Sequence, residues 1–250
     1  MSKKERPKER VDKIIVDQGL AKSRAQAQAL IMAGTVCLGD QLIKKSSEMF
    51  SPTEKFRLKE GAAPKYVSRG GEKLEGALQT LRLDVKGLRA LDIGISTGGF
   101  TDCLLQHGAS SVIGLDVGRG QLDYKLSKEP RLKAFEGINA RLIPDNIVME
   151  KIDLVVIDVS FISLTYVLAQ AYRFLESGGM ILALIKPQFE VEKGQVGKGG
   201  IVKDPLLHSQ VQEKIRAHTV GLGLKVENVF PSPIEGTDGN KEFFIFARRS

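Results

Sequence analysis

The stretch Leu91-Asp92-Ile93-Gly94-Ile95-Ser96-Thr97-Gly98-Gly99-Phe100 constrains this chain more than any other part of it. An apolar run over 88–93 leads into it, and an amphipathic run over 100–107 leads out. That order reads as strand, glycine-rich turn and helix, the unit from which parallel sheets with covering helices are built. About twenty residues further on, the spacing of a nucleotide fingerprint, a second apolar run over 111–115 ends in Asp116. An acidic residue at the tip of a second strand suits a ribose with free hydroxyls. Together these features predict a nucleoside-bearing cofactor lying across the ends of the strands.

The turn reads Asp-x-Gly-x-Ser-Thr-Gly-Gly, not Gly-x-Gly-x-x-Gly. A pyrophosphate at a helix N-terminus wants bare amide N–H groups and no neighbouring anion. Asp92, placed just before the first glycine, opposes a diphosphate and attracts a cation. S-adenosylmethionine carries a sulfonium and an ammonium, so it suits this turn better than NAD does. No Gly-Lys-Ser/Thr follows, which excludes a P-loop. The candidate cofactor residues are Asp92, Gly94, Ser96, Thr97, Gly98, Gly99, Phe100 and Asp116, with Asn139 and Asp158 beyond later strands. The plainer alternative, a turn of this shape with no ligand, leaves the spacing to Asp116 unexplained.

From Lys65 onward strands and helices alternate. Strands are predicted near 88–93, 111–115, 132–136, 153–158, 179–185, 225–231 and 241–247, and helices near 70–82, 99–107, 120–127, 163–175 and 204–221. That alternation is an α/β, doubly wound, Rossmann-like sheet. Gly236-Thr237-Asp238-Gly239-Asn240 joins the last two strands with no helix between, so they pair antiparallel, a trait of methyltransferases rather than of dehydrogenases.

The net charge of +7 is unevenly spread. Residues 1–66 hold 14 Lys/Arg against 8 Asp/Glu, which leaves the remainder close to neutral. Such asymmetry marks a basic module that meets a polyanion. Within it, Val11, Ile14, Ile15 and Leu20 predict a short helix that Gly19 ends, and Ser23 caps a second one over 25–32. Val36 and Ile43 flank Gly39-Asp40, a hairpin signal, and 55–58 reads as a third strand. The segment 61–64 reads as a linker. No apolar run of membrane-spanning length and no secretory h-region is present, so a cytoplasmic protein is expected. Cys37 and Cys103 have no metal-ligand spacing, and no metal is expected.

The pattern Arg10-x-Asp12, Gly19-Leu20-Ala21-Lys22-Ser23-Arg24-x-x-Ala27 and Ile31-x-x-Gly34-x-Val36 resembles the S4 RNA-binding domain. The resemblance implies a small α+β domain over 1–62 whose Arg10, Lys13, Lys22 and Arg24 meet RNA phosphates.

Ligands of such sheets sit at the carboxyl ends of the strands. Asp158 and Lys186 end two strands, and Glu242 begins the antiparallel one, at the same edge; Lys73 lies on the helix before the first strand. Taken singly, each has a plainer reading: a solvated loop lysine, a helix-capping Asp, an edge-strand Glu. Together, Lys73, Asp158, Lys186 and Glu242 match the Lys-Asp-Lys-Glu tetrad of FtsJ-type ribose 2′-O-methyltransferases. The strings Ser68-Arg69-Gly70-Gly71-x-Lys73-Leu74, Asp158-x-Ser160-Phe161-Ile162-Ser163-Leu164 and Lys186-Pro187-Gln188-Phe189-Glu190 resemble the TlyA (hemolysin A) branch, an S4 domain fused to an FtsJ-like domain.

That resemblance implies an FtsJ-like domain over 63–250 that transfers a methyl group to a cytidine ribose of ribosomal RNA, with Lys73, Asp158, Lys186 and Glu242 catalytic. Because some longer members act on small-subunit RNA and this sequence stops at Ser250, large-subunit RNA is the expected target. Lys186 would take the 2′-hydroxyl proton, its pKa lowered by Lys73 and burial. Other acceptors fit less well. Asp158-Val159-Ser160-Phe161 lacks the two prolines usual for amino-group methylation, and neither cysteine sits where cytosine-C5 chemistry needs one. A membrane-active haemolysin and a non-catalytic RNA-binding or ribosome-assembly protein remain as alternatives.

Overall fold

The computed structural model describes residues 7–21, 23–32, 34–59, 65–236 and 239–250. It divides into two compact units, Met1–Ser68 and Arg69–Ser250. Lys22 and the linker over 61–64 lie outside the described residues.

In the first unit, strand β1 (Glu9–Arg10) runs directly into helix α1 (Val11–Asp17). Helix α2 (Arg24–Met32) starts where Ser23 Oγ accepts the Gln26 amide at 3.2 Å, the expected cap. Strand β2 (Val36–Leu38) pairs antiparallel with β3 (Gln41–Leu42) and with β5 (Phe56–Leu58), as the hairpin signal and the third apolar run predict. A second ribbon, β1 with β4 (Met49–Phe50), is new, since two-residue strands are too short to show alternation in the sequence. Val11, Ile14, Ile15, Ile31, Val36 and Ile43 form the core of this α+β unit.

The second unit is a seven-stranded sheet flanked by helices. Its elements are α3 (Arg69–Leu81), β6 (Arg89–Ile93), α4 (Gly99–Gln106), β7 (Ser111–Asp116), β8 (Leu132–Glu136), β9 (Ile152–Ile157), α5 (Leu164–Phe174), β10 (Leu175–Ile185), α6 (Pro205–Gly221), β11 (Leu224–Pro231) and β12 (Phe243–Arg249). The strand order is β11-β12-β10-β9-β6-β7-β8. Neighbours pair in parallel except β12, which is antiparallel to both β10 and β11. Central strands β9 and β10 are apolar without interruption over 154–157 and 180–185, where both of their faces are covered. Val155, Ile157, Ile181 and Ala183 pack with Val167 and Leu168 of α5 and Ile215 of α6. Alternate residues Leu154, Val156, Leu182 and Leu184 are equally buried and point the other way. On β12, Phe244 stacks on Phe100 of α4 at 6.3 Å.

One predicted helix is absent. Instead of an α-helix over 120–127 there is a single 3-10 turn, Leu126–Lys128. Gly120 has φ of 67°, and Asp123 Oδ1 accepts the Lys125 amide at 2.8 Å, a local side-chain bond that competes with the helical ladder.

Candidate active site

The sheet brings the chemistry-bearing residues to its carboxyl edge in a continuous row. Gly94 follows β6, and its φ of 93° admits the tight turn. A Cβ at Gly94 would collide with the Asp158 backbone carbonyl, so only glycine allows the two strand ends to meet this closely. The Asp158 amide donates to the Ile93 carbonyl at 3.0 Å and closes that junction. Across the next pairing, Ile185 of β10 stands opposite Phe243 of β12, which sets Lys186 beside Glu242.

Two lysine–carboxylate pairs occupy this edge. Lys73 Nζ donates to Glu242 Oε2 at 2.5 Å, and both residues are buried. Lys186 Nζ lies 2.5 Å from Asp158 Oδ1. That second contact is an ion pair without hydrogen-bond alignment, because Asp158 Oδ1 has no hydrogen-bond partner, whereas Lys186 donates to Ser160 Oγ at 3.1 Å. Thus all four tetrad residues lie at one edge, paired as Lys73 with Glu242 and Lys186 with Asp158.

The cofactor candidates divide. Asp92 is fully buried; its Oδ2 accepts the Thr101 hydroxyl at 2.7 Å and its Oδ1 has no hydrogen-bond partner. Burial, with the Asp158 charge adding, pushes its carboxyl up to about 7 against the Thr101 hydrogen bond. A half-satisfied buried carboxylate at the head of the turn fits a cationic ligand group, which would supply the missing partner. Asp116 holds the turn's shape, because its two oxygens accept the Ser96 amide at 2.9 Å and the Gly118 amide at 2.7 Å. Ser96 and Thr97 are exposed on the turn, with Ser96 at φ of 48°. Phe100 is a core residue, and Asn139 is exposed, its Oδ1 accepting the Arg141 amide at 2.9 Å.

In the first unit, Arg10 and Arg24 converge on the buried Asp12, at 2.9 and 3.1 Å, and Lys13 pairs with Glu9 at 2.6 Å. The Arg10 hydrogen bond holds the Asp12 carboxyl well below the usual range despite burial. Arg10 and Arg24 therefore carry a structural role.

Four residues have a place at the site to which the sequence reading gave no role, three of them inside the strings that carry the family resemblance. Thr101 shares the charge of Asp92, and Ser160 receives Lys186. Glu190, buried, accepts from the Leu164 amide at 2.6 Å, from Ser163 Oγ at 2.8 Å and from Lys214 Nζ at 3.1 Å. Phe161 has φ of 63°, is 89% exposed and lies 5.0 Å from the Phe189 ring. The strain at a non-glycine φ and the exposure of the ring, both invisible in a sequence, mark Phe161 out. A cavity of about 470 Å³ adjoins Glu242, walled also by His208, Gln212, Ser232 and Lys241. Among the described residues no His, Cys, Asp and Glu group is arranged to hold a metal, and no helix is long and apolar enough to cross a membrane.

The model of FtsJ-like methyltransferases matches residues 66–249, and that of the S4 domain matches residues 9–55. The 16S/23S rRNA (cytidine-2'-O)-methyltransferase TlyA of Mycobacterium tuberculosis is 42% identical over 239 residues, 96% of this chain and 89% of that protein. Hemolysin A of Brachyspira hyodysenteriae is 39% identical over 235 residues, 94% of this chain and 97% of that one. An S-adenosylmethionine-dependent methyltransferase from Mesorhizobium loti, only 16% identical, shares the fold with a TM-score of 0.53 over 71% of this chain and 98% of its own. The chain belongs to the FtsJ-like methyltransferases, in the TlyA branch that joins an S4 domain to the methyltransferase domain.

Proposed function

We propose that this protein transfers a methyl group from S-adenosylmethionine to the 2′-oxygen of a ribose, that of a cytidine, in ribosomal RNA. The observation that carries this reading is the row of two lysine–carboxylate pairs beside the turn headed by Asp92. The name of the M. tuberculosis relative supplies the substrate class. That name covers RNA of both ribosomal subunits and lends no weight to the large subunit alone. Residues 1–62 act as the RNA-binding domain and residues 63–250 as the methyltransferase domain, working on ribosomal subunits in the cytoplasm.

Asp92, the turn over 94–99 and Asp116 would hold the cofactor, with Asn139 and Asp158 alongside. When bound, the cofactor supplies an electrophilic methyl group on a sulfonium. Lys186 Nζ, in its unprotonated form, takes the proton of the 2′-hydroxyl as that oxygen attacks. Asp158 and Ser160 fix where the nitrogen points, with the carboxylate left to share the new charge. Lys73, anchored on α3 and held by Glu242, sets a second positive charge near the ribose oxygen. Holding the reacting atoms in line is worth up to about 7–11 kcal/mol in favourable cases. The exposed ring of Phe161 offers a stacking face to an unstacked base. Arg10, Lys13, Lys22 and Arg24 add phosphate contacts.

The test is tritiated methyl transfer to free 16S and 23S RNA and to both subunits, followed by mapping of the labelled nucleotide. The expected product is a cytidine whose 3′ phosphodiester resists alkali. Label on a base, or in neither RNA, would overturn the reading.

A further inference from the structure

Glu242 reaches Lys73 from a loop, and the Asn240 side chain pins the end of that loop nearest Glu242. Asn240, two residues before Glu242, is only 4% exposed. Its Oδ1 accepts the Val202 amide at 3.1 Å, and its Nδ2 donates to the Gly200 carbonyl at 3.0 Å. The backbone around it is closed as well. Gly236 N donates to Asn240 O at 2.9 Å, and Ser232 N donates to Glu242 O at 2.8 Å. A Cβ at Gly236 would land on the Glu242 carboxylate, so the loop lies directly over that group.

The segment that Asn240 grips is itself held. His208 Nε2 bonds the Val202 carbonyl at 2.8 Å, and the Val202 side chain is buried. Gly200 ends, and Val202 follows, a series of three 3-10 turns, Pro187–Phe189, Lys193–Gln195 and Lys198–Gly200, that begins just after Lys186. One amide thus ties the loop bearing Glu242 to the segment that starts at Lys186. Only a planar group with an acceptor on one side and a donor on the other makes both bonds. Aspartate repels the Gly200 carbonyl, and alanine leaves the buried Val202 N–H bare and the Gly200 carbonyl without this donor.

We propose that Asn240 is a positioning residue of the reaction. It keeps Glu242 against Lys73, and so fixes the Lys73 ammonium beside the acceptor oxygen. The inference rests on the ribose methyltransferase reading above. It concerns the rate of the bound complex, not the affinity for cofactor, because Asn240 touches none of Asp92, Asp116 or the turn.

The experiment compares full-length parent, Asn240→Ala, Asn240→Asp and Glu242→Gln with saturating S-adenosylmethionine and ribosomal RNA. Asn240→Ala should lower kcat by about 10- to 100-fold, the scale of a small misplacement at a reacting centre. Its KM for RNA and its Kd for S-adenosylhomocysteine should stay within about threefold of the parent. Its kcat–pH profile should move in the same direction as that of Glu242→Gln, a shift that a general loosening of the fold does not produce. Asn240→Asp should fall short of the parent as well, since only one of the two bonds survives. A kcat within twofold of the parent, an equal loss in cofactor affinity, or a pH profile unmoved while that of Glu242→Gln moves would overturn the proposal. Failure of both Asn240 variants to fold would overturn it too, by making Asn240 a folding residue. An inactive parent would instead sink the functional reading on which it stands.

Discussion

At the residue scale, the most telling group is Asp92. In an unfolded chain its carboxyl titrates near 4, whereas burial holds it at about 7 in the folded protein. Between those values the folded state keeps a proton that the unfolded state has released. The contribution of Asp92 to stability is therefore full at low pH and falls as pH rises towards about 7. A cationic ligand reverses the preference, because it needs the carboxylate. Calorimetry should show S-adenosylhomocysteine binding more tightly as pH rises from about 5.5 to 7.5, and Asp92→Asn should bind weakly with no such trend. A flat affinity in the parent would remove Asp92 from the ligand contacts. Lys186 is tested by its arginine variant. Arginine keeps the charge but does not deprotonate near neutral pH, so Lys186→Arg should be as inactive as Lys186→Ala while both retain cofactor binding. Substantial activity in Lys186→Arg, measured by label incorporation, would leave Lys186 an orienting charge and not a base.

At the scale of elements, Glu190 joins the turn after β10 to the start of α5 and to Lys214 of α6. Glu190→Ala would strand the Leu164 amide and the Lys214 ammonium's partner site. It should cost about 1–3 kcal/mol in urea unfolding, with a lower methylation rate, since the same turn carries Lys186. Unchanged stability would mean that water replaces the carboxylate without loss. The strands were legible in the sequence because burial of both faces leaves unbroken apolar runs such as 154–157 and 180–185. The helix predicted over 120–127 was not, because Gly120 and Asp123 have local backbone demands that outweigh an apolar pattern. At the site, the strand ends carrying Asp158, Lys186 and Glu242 told which residues share an edge. Which lysine meets which carboxylate depends on the reach of α3 over the sheet, and no short-range pattern encodes it. Asn240 was hidden for a similar reason, since its partners lie 38 and 40 residues away in the chain.

At the scale of the whole molecule, charge is divided between the parts, with the basic excess in the first 66 residues. Arg10 and Arg24 also satisfy the buried Asp12, so replacing them tests stability and binding at once. Lys13, exposed and paired with half-buried Glu9, is the cleaner probe. Lys13→Gln should weaken RNA binding evenly across sequences and reduce the slope of log K against log salt by about 0.7–0.9, one phosphate contact. An unchanged slope in filter binding would place the phosphate contacts elsewhere.

The two ends of one ion pair, Lys73 and Glu242, are 169 residues apart along the chain. A ribosome synthesising this protein releases Lys73 many seconds before Glu242, at roughly 5–20 residues per second. Throughout that interval the carboxylate that holds Lys73 in the folded protein, and the strand that follows it, have not been made. The row of pairs is therefore complete only once the antiparallel strand β12 lies between β10 and β11. A product that stops short of Glu242 contains the sequence of the glycine turn and of the basic first 66 residues, yet cannot assemble the row. Such a fragment lacks the carboxylate that holds Lys73 in the full chain, so the strand order makes the pair one of the last contacts to form.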